Sequence, residues 1–115
     1  FSDDAFAKQI GVPSVHGEVG YSTLERRWGR PSFDIHGLTS GYQGEGGKTV
    51  LPAKASAKIS FRLVPNQNPE QVAEQLRAYV SANTPAGVTA TVVDLHGGPG
   101  VVVDPNSAYM KAAFK

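Results

Sequence analysis

The chain has 115 residues, 40% of them hydrophobic, with 11 Lys or Arg against 10 Asp or Glu and a net charge of +1. That is enough for one small domain with one core, and the near-neutral balance gives no electrostatic case for nucleic acid or an anionic membrane as partner. The absence of cysteine excludes a disulfide framework and thiolate ligands and fits a reducing, cytoplasmic compartment, and no apolar run approaches the length of a membrane-spanning helix.

Residues 1–10, FSDDAFAKQI, read as a short helix capped by Ser2 or Asp3, with Asp4 at the positive end of the dipole and Gly11 and Pro13 as stops. The Phe1-Ser2-Asp3-Asp4 start has neither an initiator Met nor a signal-peptide pattern, as expected of a piece cut from a longer chain. After a loop, Ser22 and Glu25 form a capping-box pattern for a second short helix that ends before Gly29 and Pro31, with Leu24 and Trp28 on one face. Ser32–Leu38 alternates as a strand, Phe33 and Ile35 on one side and Asp34 and His36 on the other, with Gly37 marking its end.

A glycine loop then runs into the clearest element of the chain. From Ala53 to Leu63, Ala53, Ala55, Ala57, Ile59, Phe61 and Leu63 point one way, and Lys54, Ser56, Lys58, Ser60 and Arg62 the other. A period of two over eleven residues specifies a strand with one apolar and one polar face, of the kind found in antiparallel sheets. Gly47-Lys48-Thr49 has the ending of a phosphate-binding loop, but the glycine that the motif requires at position 42 is Tyr42, and a strand follows where a helix must open. The nucleotide reading fails on both points.

Asn68 as cap, Pro69 at the first helical position and Gln71 three residues after the cap start a helix. Its stripe of Val72, Leu76, Tyr79 and Val80 is amphipathic and is expected to cover the apolar face that carries Phe61. Thr84-Pro85 and Gly87 end it. Val88–Leu95, rich in β-branched residues, reads as a third strand. HGGPG is a loop, Val101–Asp104 is extended, and Pro105-Asn106-Ser107 opens a last helix, AYMKAAFK. The predicted class is α+β, helix on antiparallel sheet.

His16, His36 and His96 stand singly, and spacing alone gives no metal site. Asp94-x-His96 is half a ligand set at most, and a strand-end polar pair is the commoner reading. Arg62, on the polar face near a strand end, carries the planar fork that suits a carboxylate.

Residues 36–72, HGLTSGYQGEGGKTVLPAKASAKISFRLVPNQNPEQV, resemble the lid or dimerisation domain of the M20 family of zinc exopeptidases, in its carnosinase-like dipeptidase branch. The shared elements are the HG pair, the glycine loop, KTVLP and RLVP. RRWGRPSFDIHG upstream and HGGPGVVVD downstream fit the same branch. The resemblance implies a partial ferredoxin-like two-layer sandwich, an antiparallel sheet with a helix on one face. Residues 1–31 would be an insertion leading into the lid, 32–96 its core, and 97–115 a return segment toward the catalytic domain. The first strand and helix of the lid would lie upstream, and their absence would leave the strands at 53–64 and 88–95 with unpaired edges, to be filled by self-association or by residues 1–31 or 101–115.

The resemblance also implies roles. Arg62 would anchor the substrate's terminal carboxylate, and Thr49 and His96 would be further substrate-binding residues. No catalytic residue and no metal ligand falls in this chain. Two zinc ions would belong to a catalytic domain absent from it, so the chain alone would be inactive. Its partners would be a dipeptide-like substrate, its own catalytic domain and a second copy bound through the lid, with no nucleic acid or membrane. The alternative is a stand-alone ferredoxin-like module that binds a small molecule or regulates through the same sheet face. The pairing of KTVLP with RLVP favours the peptidase reading.

Overall fold

A computed structural model describes residues 2–114. It contains α1 (Asp3–Ile10), α2 (Thr23–Trp28), β1 (Ser32–Ser40), β2 (Ala55–Arg62), α3 (Pro69–Asn83) and α4 (Ala108–Ala113). The chain divides into two compact units, Phe1–Arg62 and Leu63–Lys115. Helices and an antiparallel strand pair together make it α+β.

In the first unit, local chemistry starts and stops the helices. The Ser2 side chain accepts from Ala5 N at 3.2 Å, and Gly11, at φ 76°, closes α1 in the left-handed conformation that glycine adopts without penalty. Ser22 and Glu25 complete the reciprocal capping box of α2. The two helices are tied by one carboxylate. Asp3 Oδ1 accepts from Thr23 N at 3.1 Å and from Thr23 Oγ1 at 2.6 Å, and Arg26 Nη1 lies 3.8 Å from Asp3 Oδ2. Asp3 thereby satisfies the first helical amide of α2 from outside the helix. Thr23, held by this tie, is buried (6% exposed), as is Ala7 of α1 (5%). A second tie is the two-pronged pair of Arg30 with Glu18, at 2.7 and 2.6 Å, with the Arg30 guanidinium also 4.4 Å from the centre of the Tyr21 ring.

β1 and β2 pair antiparallel, with Ser32 opposite Arg62, Phe33 opposite Phe61 and Ile35 opposite Ile59. After Ile35 the register slips, because Gly37, not His36, lies opposite Lys58. His36 is an extra residue, a β-bulge. The bulge corrects the expectation that the strand ends at Gly37. Strict alternation would send Leu38 to the polar face, and one inserted residue returns it to the apolar face, opposite Ala57. The strand then continues to Ser40.

The apolar face of this ribbon is not sealed. Ile59 is half-buried, while Phe61 is 36% exposed and Phe33 52%. The expectation that the apolar face carrying Phe61 is covered is therefore not met at Phe61.

In the second unit, α3 starts at the cap read from sequence. Asn68 Oδ1 accepts from Glu70 N at 2.8 Å and Gln71 N at 3.3 Å, with Pro69 at the first helical position. Thr84 ends the helix, its hydroxyl donating to Val80 O at 2.6 Å. No residue of α3 is fully buried. Residues 88–95 are in no ladder among the described residues, which corrects the expectation of a third strand. The physical reason is that β-branched composition favours extended backbone, whereas a strand also requires a neighbour to exchange N–H···O=C bonds. Among the described residues the sheet has two strands, β1 and β2, and neither 2–31 nor 101–114 contains a further strand. Ser107 caps α4, accepting from Met110 N at 3.3 Å.

Candidate functional site

Arg62 is the last residue of β2 and faces Ser32. The pairing of Phe61 with Phe33 sends the two aromatic rings to the apolar face, so alternation sends Arg62 to the other, with Asp34, Ser60 and Lys58. Its side chain is exposed. Four of the five arginines have a partner: Arg26 reaches Asp3, Arg30 reaches Glu18, Arg77 reaches Asp94, and Arg27 lies over the Phe6 and Trp28 rings. Arg62 alone forms no ion pair, side-chain hydrogen bond or ring contact among the described residues. Asp34, two positions along the same face, is engaged instead by the Ser32 hydroxyl at 2.8 Å. The Arg62 fork is thus exposed and without a partner among the described residues.

Thr49 lies in the exposed loop between β1 and β2. That loop is shaped by its own residues. Gln43 Nε2 donates to Ser40 O at 2.6 Å, Tyr42 Oη donates to Glu45 O at 3.2 Å, and Lys48 Nζ stands 5.5 Å from the centre of the Tyr42 ring. Gly41 and Gly46 hold φ of 66° and 81°, values that side-chain-bearing residues rarely take. Arg62 and Thr49 belong to the first unit.

His96 belongs to the second unit and is exposed at the start of HGGPG. Asp94, the other member of the Asp94-x-His96 pair, engages Arg77, with Oδ2 3.6 Å from Nη2. A cleft of about 610 Å³ runs beside α3, lined by Arg77, Val80, Thr84, Val88 and Val92 among others. None of Arg62, Thr49 and His96 lines it. Two of the HGGPG glycines make close approaches. A Cβ at Gly97 would meet Pro69, and one at Gly100 would meet the Val64–Pro65 backbone. The available signal was the spacing of glycines around Pro99, without a partner to show what they approach.

No group of three or more His, Cys, Asp or Glu among the described residues converges to hold a metal ion. Among the described residues no helix is long and apolar enough to cross a membrane.

Comparison with known proteins identifies the family. The chain is 34% identical over 97 residues to the Cys-Gly metallodipeptidase DUG1 of Saccharomyces cerevisiae, a match that covers 80% of this chain and 20% of that one. It is 38% identical over 59 residues to the Beta-Ala-His dipeptidase of Mus musculus, covering 51% of this chain and 12% of that protein. The chain thus spans a fifth or less of the length of these relatives. The crystal structure of an M20 family metallo-carboxypeptidase, Sso-CP2 from Sulfolobus solfataricus, superposes with a TM-score of 0.71 at 30% identity, over 97% of this chain and 28% of that one. The M20 model described as the peptidase dimerisation domain matches residues 3–88. With most of its length covered by that match, the chain belongs to the M20 peptidase dimerisation domain family.

Proposed function

We propose that this chain is the lid and dimerisation module of an M20 metallodipeptidase, in which Arg62 takes the terminal carboxylate of a dipeptide-like substrate. The observation that carries the reading is the unpartnered Arg62 guanidinium at the end of the polar strand face, in a chain whose other arginines are all engaged. A planar fork that loses no internal ion pair on binding meets a carboxylate with two parallel N–H···O bonds. Thr49 and His96 serve as further substrate contacts, a hydroxyl and an imidazole able to hydrogen-bond a peptide backbone or its terminal group. Hydrolysis belongs to a catalytic domain with its own metal ions, two zinc ions in this reading, and the lid supplies binding and orientation. A cytoplasmic location completes the reading, supported by a chain without cysteine.

The same module joins two copies of the protein. Support comes from the partly open apolar ribbon face and from the exposed Val88, Val93 and Leu95, either of which gains by burial against another surface. Sedimentation of the metallodipeptidase carrying this domain tests this part, with a dimer expected. A monomer at all accessible concentrations removes it. For the substrate part, Arg62→Ala in the same polypeptide is expected to raise KM for Cys-Gly while metal content stays constant. An unchanged KM removes the Arg62 assignment.

A further inference from the structure

We propose that Gly97 and Gly100 are positioning residues that seat the HGGPG loop against the Val64–Pro65 turn and Pro69, and so hold His96 where it meets the substrate. The proposal rests on the assignment of His96 to substrate made above. An ideal Cβ at Gly100 would lie 3.0 Å from Pro65 N and from the Val64 carbonyl carbon, and 3.1 Å from Val64 O. These are backbone atoms, which cannot swing aside as a side-chain tip can. They are also pinned: Val64 N donates to Gln67 Oε1 at 2.9 Å, and Val64 O accepts from Gln67 N at 3.3 Å. A Cβ at Gly97 would lie 3.1 Å from Pro69 Cβ, on a rigid ring at the first position of α3.

Neither glycine has positive φ, so what they provide is room and not an unusual backbone conformation. Gly98 is the internal contrast. It also lacks positive φ, and a Cβ there would meet nothing within 4 Å. The loop therefore has two glycines that touch and one between them that does not. The surface they touch is the second half of the RLVP motif, which begins at Arg62, and the imidazole of His96 hangs from the residue next to Gly97.

The test uses the metallodipeptidase polypeptide that carries this domain, with Cys-Gly as substrate. His96→Ala is expected to raise KM roughly 3- to 10-fold, the worth of one hydrogen bond. Gly100→Ala and Gly97→Ala are expected to raise KM within the same range, and Gly98→Ala to leave it at the wild-type value. The double variant His96→Ala with Gly100→Ala should be no worse than His96→Ala alone, because the glycine acts through the histidine. Amide hydrogen exchange across residues 63–70 and 95–101 should rise in Gly97→Ala and Gly100→Ala and not in Gly98→Ala. Wild-type exchange and KM in both Gly97→Ala and Gly100→Ala overturn the proposal. So do effects that multiply in the double variant. If His96→Ala has wild-type KM, the substrate role of His96 fails, and the exchange pattern then decides the seating by itself.

Discussion

Phe33 and Phe61 face each other across the β1–β2 ribbon, their ring centroids 5.1 Å apart and their planes tilted by 51°. Tilted rings at this separation place the positive edge of one toward the negative face of the other, an arrangement that contributes about 0.5–1.5 kcal/mol beyond area burial. With Phe61 36% exposed and Phe33 52% exposed, neither has the standing of a fully buried core residue. A double-mutant cycle with Phe33→Leu and Phe61→Leu is expected to show a coupling of about 0.5–1.5 kcal/mol in urea unfolding. Additive effects would show that the rings are neighbours without being partners.

The bulge at His36 carries a sharper expectation. Deleting His36 leaves Ile35 followed directly by Gly37, which already lies opposite Lys58. The shortened strand should keep Leu38 opposite Ala57 and Ser40 opposite Ala55, visible as unchanged cross-strand proton contacts. A flipped strand, with Leu38 moved to the Arg62 face, would contradict this account of the register.

Capping of α3 is the simplest energetic prediction. Asn68 Oδ1 satisfies two amides of the first turn. Asn68→Ala should cost about 0.5–2 kcal/mol of stability and Asn68→Gly only a few tenths. Equal losses from both would mean that the cap bonds contribute little.

The N-terminal ties respond to acid. Asp3 is held below the usual carboxylate range, first by the Thr23 hydroxyl and then by the Thr23 amide, and Glu18 is held low by its hydrogen bonds from Arg30. A carboxylate whose folded pKa is depressed contributes stability that is fully present above its unfolded value. That stability is lost as pH falls through the folded one. The Asp3–Thr23 and Glu18–Arg30 ties should therefore loosen as pH falls below about 4. Carboxyl chemical shifts should show Asp3 and Glu18 titrating below ordinary Asp and Glu, and Thr23→Val should return Asp3 toward the ordinary value. An unshifted Asp3 in the wild-type chain would contradict the tie between α1 and α2.

How far the sequence could be read follows from the range of each interaction. The caps at Ser2, Ser22 and Asn68 involve partners three residues away or fewer, so helix starts were legible. The Ala53–Leu63 alternation was legible for the same reason, as was Arg62 on its polar face. The bulge was not, since it is defined by Lys58, more than twenty residues away, choosing Gly37 over His36. Val88–Leu95 misled because composition reports a preference for extended backbone and cannot supply the neighbouring strand. The tie between Asp3 and Thr23, twenty residues apart, left no local trace. At the candidate site, the resemblance of KTVLP, RLVP and HGGPG to the M20 lid implied Arg62, Thr49 and His96, but the unpartnered Arg62 fork and the close approaches of Gly97 and Gly100 emerge only with the surroundings of each residue in place.

Binding of a free carboxylate by Arg62 is the proposed role that decides the peptidase-lid reading. The most direct measurement compares kcat/KM for a dipeptide and for its C-terminal amide, in the proposed metallodipeptidase that carries this domain and in its Arg62→Ala variant. Truncating one side of a desolvated charge pair costs roughly 2–5 kcal/mol. The wild-type enzyme should prefer the free acid by a corresponding factor, Arg62→Ala should lose most of that preference, and Arg62→Lys should restore only part of it, because an ammonium lacks the two-pronged geometry. A preference for the free acid that persists undiminished in Arg62→Ala would contradict the claim.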